Sequence, residues 1–246
     1  LNTKISMIEG TDTASSSTVK SVNLSNDAND NLKAPDSNER TNVYLTFDDG
    51  PSDNTDAILD ILKNYNVKAT FFLVEKDDTA AQDKIKRIAS EGHSIGVHSY
   101  SHKYSEVYAS LDSFKKDVDS MRDYLEPIIG YKPSIYRFLG GSGNKVTNVD
   151  IRECIDYLDS QGIKYYDWNV SSGDAVSNAY TADELVENVM KDVLKYKTSV
   201  VLLHDANAKG TTLEALPGLI EALQASNVNL LPITDDTPPV QHVKTK

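Results

Sequence analysis

Between residues 43 and 233 the chain repeats one unit, a short run of β-branched and aromatic residues followed by a stretch with apolar residues at helical spacing. Val43–Phe47, Ala69–Val74, His93–Val97, Ile135–Arg137, Ile163–Trp168, Ser199–Leu203 and Val228–Ile233 read as strands. Between them, apolar residues recur one or two helical turns apart: Ala57, Ile58, Ile61, Leu62 and Tyr65; then Ile85, Ile88 and Ala89; then Leu111, Phe114, Val118, Met121 and Leu125. The pattern resumes with Ile151 to Leu158, with Leu185, Val189 and Val193, and with Leu216, Leu219, Ile220 and Leu223. Gly92 is placed to stop one helix, Ser110 to cap another, and Thr181-Ala-Asp-Glu184 to open a third as a capping box. Strands joined by helices through short links form parallel, right-handed βαβ units. The expected class is therefore α/β, and seven such strands close best as a distorted (β/α) barrel. An open doubly wound sheet is the alternative, disfavoured because no Gly-rich phosphate loop follows the first strand.

With 246 residues the chain can bury one large core, so residues 41–235 are expected to be a single catalytic domain. Residues 1–40 are rich in Ser, Thr, Asn and Asp, with one short apolar patch at Ile5, Met7 and Ile8, and read as a flexible polar tether. Residues 236–246 read as a polar tail. The chain opens on Leu1 with neither a start methionine nor a signal peptide, the form of a processed or trimmed chain, so location must be inferred indirectly. No apolar run approaches the roughly 18 residues of a membrane span. Acidic residues outnumber basic ones by 37 to 25, and the net charge of −12 argues against a nucleic-acid partner and for a neutral or cationic substrate. The single cysteine, Cys154, excludes an internal disulfide and falls on the apolar face of its helix, where it acts as a small hydrophobe.

Polar residues cluster just beyond the strands, and in parallel α/β folds the carboxyl ends of the strands gather on the face where sites are built. Asp48-Asp49-Gly50 ends the first strand, His98 to His102 the third, Arg137 the fourth, Asp167-Trp168 the fifth and His204-Asp205 the sixth. Two adjacent carboxylates at the end of a buried strand repel each other unless a cation or a shared proton intervenes. His98 and His102, four apart, can meet at one point, and with Asp49 they make a His₂Asp set suited to Zn²⁺ or a related divalent ion, with a position open to water. Each element alone has an ordinary reading as a turn, a core histidine or a surface ion pair; their joint placement at strand ends carries the argument. His93 opens a strand at the opposite end and His242 lies in the tail, so neither is a candidate.

These residues resemble the motifs of the polysaccharide deacetylases of carbohydrate esterase family four. Thr46-Phe-Asp-Asp-Gly50, His98-Ser-Tyr-Ser-His102, Arg137-Phe-Leu-Gly-Gly141, Asp167-Trp168-Asn-Val-Ser-Ser-Gly-Asp174 and Leu202-Leu-His204 match its five motifs in order. The resemblance implies a metal-dependent hydrolase with a distorted (β/α) barrel. Asp48 would be the general base, Asp49, His98 and His102 the metal ligands, and His204 the general acid. Arg137 would hold Asp48, and Asp167 would orient His204. Leu202 and Trp168 would line the acetyl pocket, and the Gly140 amide would bind the oxyanion. The metal would be one divalent ion, Zn²⁺ first and Co²⁺ as an alternative. Leu139 stands where the family has proline, which predicts a looser oxyanion loop. The third and fourth motifs are most similar to those of Gram-positive members acting on the N-acetylglucosamine of peptidoglycan. The substrate expected is thus a peptidoglycan strand, with chitin oligomers, O-acetyl xylan or a catalytically weak carbohydrate-binding role as alternatives. An extracellular or cell-surface monomer is expected.

Overall fold

Alternation of inward and outward side chains along the strands builds two cores, and the smaller of them supports the site. The computed structural model describes residues 31–36, 38–176 and 180–244. The tether expectation for residues 1–30 lies outside the described residues.

The strands are β1 (Asn42–Asp48), β2 (Thr70–Val74), β3 (Ser94–Ser99), β4 (Ile135–Tyr136), β5 (Lys164–Tyr165), β6 (Val170–Ser171), β7 (Thr198–His204) and β8 (Asn229–Leu230). The helices are α1 (Thr55–Asn64), α2 (Thr79–Ser90), α3 (Tyr104–Val107), α4 (Leu111–Ile129), α5 (Ile151–Ser160), α6 (Ala182–Val193) and α7 (Gly210–Ala225). Seven strands run in the order β5-β4-β3-β2-β1-β7-β6, all pairings being parallel, while β8 pairs with the start of β1. This curled, incompletely closed sheet with helices outside is the distorted (β/α) barrel that the alternation predicted. The strand that the sequence concealed is β6, two residues long and joined to β5 without a helix. As expected, Ser110 accepts from the Ser113 N–H, and Thr181 with Glu184 forms a complete capping box.

On β1, Val43, Leu45 and Phe47 join the core beneath the helices, whereas Tyr44 joins a second cluster inside the barrel with Phe72, Ile135, Tyr166, Val200, Ile233 and Val240. The same parity places Thr46 and Asp48 inward. Gly96 on β3 is required there, because a Cβ would come 2.5 Å from the Phe72 ring. Cys154 is buried on α5, as its helical phase predicted.

The segment read as a polar tail packs instead. Val240 and Thr237 are buried, the Val240 carbonyl accepts from the Asp167 N–H at 2.7 Å, and the Tyr166 hydroxyl donates to the Thr237 carbonyl at 2.9 Å. Residues 237–243 thus lie across the gap between β5 and β6, where the sheet lacks a strand pairing to satisfy its edge.

Candidate active site

The β1/β7 register pairs Asp48 with His204, so the two inward-pointing groups stand side by side at the carboxyl end of the sheet. Arg137, just past β4 and fully buried, faces them. Its Nε donates to the Tyr166 carbonyl (2.9 Å), Nη1 to Thr46 Oγ1 (2.7 Å) and Asp48 Oδ1 (2.8 Å), and Nη2 to the Asp167 carbonyl (3.0 Å). The guanidinium also sits 4.2 Å from the Phe72 ring centre. A buried cation is tolerable only when so completely paired. It holds Asp48 through one oxygen, and the other lies 4.0 Å from His98 Nε2, facing the metal candidates.

Asp49, His98 and His102 each offer a ligand atom, and these atoms all lie within 4.8 Å of one another. Asp49 Oδ1 is 3.0 Å from His102 Nε2 and 3.5 Å from His98 Nε2. His98 Nδ1 is bonded to the Arg137 carbonyl at 2.8 Å, which assigns a proton to Nδ1 and turns Nε2 toward Asp49, where it is free to ligate a divalent ion once its own proton is displaced. Asp49 and His102 both adopt positive φ, 75° and 53°, a conformation unfavourable for non-glycine residues by about 1 kcal/mol or more and found where function demands it. Burial would raise the Asp49 carboxyl, but hydrogen bonds and charge from His102 and His98 hold it well below the usual carboxylate range. For His98, burial opposes protonation and the charges of Asp48 and Asp49 outweigh it, raising its pKa. Two imidazole nitrogens and a carboxylate oxygen at these separations fit a divalent ion such as Zn²⁺.

His204 is oriented by Asp174, which corrects the expected role of Asp167. Asp174 accepts from the His204 N–H and from His204 Nδ1, both at 2.8 Å, and from Thr212 Oγ1 at 2.9 Å. This leaves Nε2 available to substrate. Burial works against a charged imidazole, but the Asp174 hydrogen bond and charge raise the His204 pKa, and that of Asp174 is lowered in return. Asp167 cannot take this role. Tyr165 belongs to the outer core and Tyr166 to the inner one, so Asp167 continues the outer phase and turns toward the third-motif loop. There it accepts from Ser142 N (2.7 Å), Ser142 Oγ and His242 N (2.7 Å). Asp174 follows β6, which pairs with β7, and so reaches His204.

The Gly140 backbone has φ +71°, and the loop around it is pinned: Leu139 is buried and its carbonyl accepts from Tyr108 Oη (3.0 Å) and Asn144 Nδ2 (3.2 Å). The looseness predicted from Leu139 is thus opposed by side-chain bonds that replace proline's stiffness. Leu202 shares the inward phase of Val200, and Trp168 packs against the inner cluster, edge-on to His242 at 5.0 Å.

Two carboxylates take supporting roles that the sequence did not assign: Asp117, which it did not single out, and Asp205, which it placed only at the end of the sixth strand. Asp117 on α4 accepts from Ser99 Oγ (2.8 Å), Tyr100 N (3.0 Å) and Ser101 N (2.9 Å), fixing the turn between His98 and His102. Its signal was a carboxylate within the apolar stripe that includes Phe114, Val118 and Met121. Asp205 accepts from Ser52 Oγ and Thr55 Oγ1, and its N–H donates to the Asp48 carbonyl at 2.7 Å, fixing the turn after β1. His93, as expected, is structural: its Nδ1 accepts from the Ala69 N–H, and burial pushes its pKa down to about 4. Two recesses of about 490 and 580 Å³ flank His102 and share Val74 and Lys76.

Comparison with known proteins identifies the family and the fold. The polysaccharide deacetylase family matches residues 36–163. The Bacillus subtilis protein YheN is 33% identical over 228 residues, covering 90% of this chain and 78% of its own. A peptidoglycan-N-acetylglucosamine deacetylase of Bacillus cereus is 31% identical, covering 76% and 67%. Among solved structures, the catalytic domain of a peptidoglycan N-acetylglucosamine deacetylase from Eubacterium rectale superposes with a TM-score of 0.79 at 36% identity, covering 87% of this chain and 97% of that one. The Bacillus cereus polysaccharide deacetylase Bc1974 gives 0.73 at 27% identity, covering 82% and 97%. The chain belongs to the polysaccharide deacetylase family and is a hydrolase of amide C–N bonds.

Proposed function

We propose that the protein removes N-acetyl groups from N-acetylglucosamine residues of peptidoglycan, with a divalent ion, Zn²⁺ by preference, held by Asp49, His98 and His102. The observation that carries the reading is the convergence of those three ligand atoms within 4.8 Å, with Asp48 beside them and His204 at the same level of the sheet. Relatives named for the peptidoglycan reaction support the substrate, and recesses open on both sides of His102 suit an internal unit of a polymer.

When bound, the ion supplies Lewis acidity, polarising the acetyl carbonyl and acidifying water. Asp48, fixed by Arg137 through one oxygen, uses the other to take the proton from the attacking water. Gly140 N–H stabilises the oxyanion. An amide nitrogen leaves only if protonated, and His204, kept protonated by Asp174, delivers that proton from Nε2. Acetate and a free sugar amine result. Leu202 and Trp168 form the apolar wall for the acetyl methyl group. Action on cell-wall glycan places the protein outside the cell or on its surface, a reading that protease accessibility on intact cells tests.

Acetate release from peptidoglycan, chitin oligomers and acetyl-xylan, measured side by side with and without chelator, decides the reading. Peptidoglycan is expected to react fastest, with activity lost on chelation and restored by Zn²⁺. Faster turnover of either other polymer refutes the substrate, and undiminished turnover after chelation refutes the metal. Asp48→Asn is expected to abolish turnover while still binding Zn²⁺, whereas His98→Ala loses both.

A further inference from the structure

The Gly140 loop has a neighbour that the mechanism above does not use. Tyr104 begins α3, two residues after His102, and is 40% exposed. Its ring lies edge-on to Tyr108 at 6.0 Å, and Tyr108 Oη is bonded to the Leu139 carbonyl, so the tyrosine pair is anchored to the loop that carries Gly140. A Cβ built on Gly140 would come 3.0 Å from Tyr104 Oη and 3.3 Å from its Cε1, which puts the hydroxyl directly against this residue. Glycine at 140 therefore does two things: it permits the positive φ, and it leaves room for the phenol.

Neither donor is engaged. Among the described residues, Tyr104 Oη and the Gly140 N–H make no hydrogen bond, although each has neighbours that are bonded, including Gly141 N to the Phe138 carbonyl and Ser142 N to Asp167. Both are donors without a partner among the described residues, and the hydroxyl lies against the residue whose N–H the mechanism assigns to the oxygen that gains negative charge. A phenol fits this task because it can donate without ionising and is held by a ring with few rotatable bonds.

We propose that the Tyr104 hydroxyl is a second donor to the oxyanion, acting together with the Gly140 N–H. The inference rests on the deacetylation mechanism given above. The Tyr104 O–H bond stays intact throughout. Its hydrogen bond strengthens as the carbonyl carbon becomes tetrahedral and weakens again as acetate forms.

Tyr104→Phe keeps the ring and its packing and removes only the donor. Its kcat for acetate release is expected to fall about 10- to 100-fold with KM changed by less than about 2-fold, the mark of an interaction made in the transition state. The Ki of a phosphonamidate analogue of the tetrahedral state is expected to rise by the same factor, with no change in thermal stability. An unchanged kcat overturns the proposal. So does a loss confined to KM, which would make Tyr104 a glycan contact. Full activity in Tyr104→Phe with loss in Tyr104→Leu also overturns it, by assigning the effect to the ring. An inactive wild type on all three polymers would refute the reaction itself, and is recognised because no variant is then needed to see it.

Discussion

Asp167 and Asp174 lie seven residues apart in one motif, the side chains of both are buried, and each accepts hydrogen bonds from the segment it faces, yet they do opposite work. Asp167 binds two main-chain N–H groups and a serine hydroxyl, none of which titrates, and so ties the third-motif loop to the C-terminal segment. Asp174 binds an imidazole whose second nitrogen is free, and so sets a protonation state. Burial and hydrogen-bond number do not distinguish a structural carboxylate from a catalytic one. The chemistry of the donor does.

Substitutions can break that contrast. Asp174→Asn is expected to have the largest effect, lowering kcat roughly 10²–10³-fold. With its carboxylate partner gone, burial dominates and His204 deprotonates more readily, so the basic limb of the pH–rate profile moves to lower pH. An unmoved limb would mean that His204 is not the acid. Asp167→Asn presents an amide N–H₂ where three donors converge. It is expected to cost about 2–4 kcal/mol, a drop of about 5–10 °C in Tm, while the basic limb stays in place. A shifted limb would restore the role first assigned to Asp167. Ser142→Ala leaves Asp167 and the Val243 N–H each one partner short, for about 1 kcal/mol and 2–4 °C by calorimetry.

The smallest effect concerns stability and pH. His204 has a pKa above its unfolded value of 6.5, so its contribution is complete below that pH and is lost as pH rises through the folded value. Asp174 has a pKa below its unfolded value of 3.8, so its contribution is present above that pH and is lost as pH falls through the folded value. The stability difference between wild type and Asp174→Asn is therefore expected to peak between about pH 4 and 6.5 and to shrink on both sides, as urea melts across that range would show. A flat difference would show that the pair does not titrate with folding.

Much of the fold was legible because its signals are local. Strand–helix alternation identified the barrel, and the period of two along a strand carried Asp48 and His204 to the same inner face at the same end. The two-residue strands left weaker marks. β6 is too short for periodicity to register, and missing it hid the reason why Asp174 stands beside β7. The tail was misread for a similar cause, since Thr237-Pro-Pro-Val240 has no period of its own and is ordered by a gap in the sheet.

By itself the sequence determined the α/β class, the strand ends that bear chemistry and the His₂Asp set, all consequences of spacing along one or two neighbouring elements. Only the tertiary structure decided which aspartate meets His204, that residues 237–243 close the gap between β5 and β6, and that Tyr104 Oη reaches Gly140. Those pairings join segments tens of residues apart, and an ångström of loop placement or one step of strand phase is enough to exchange one partner for another.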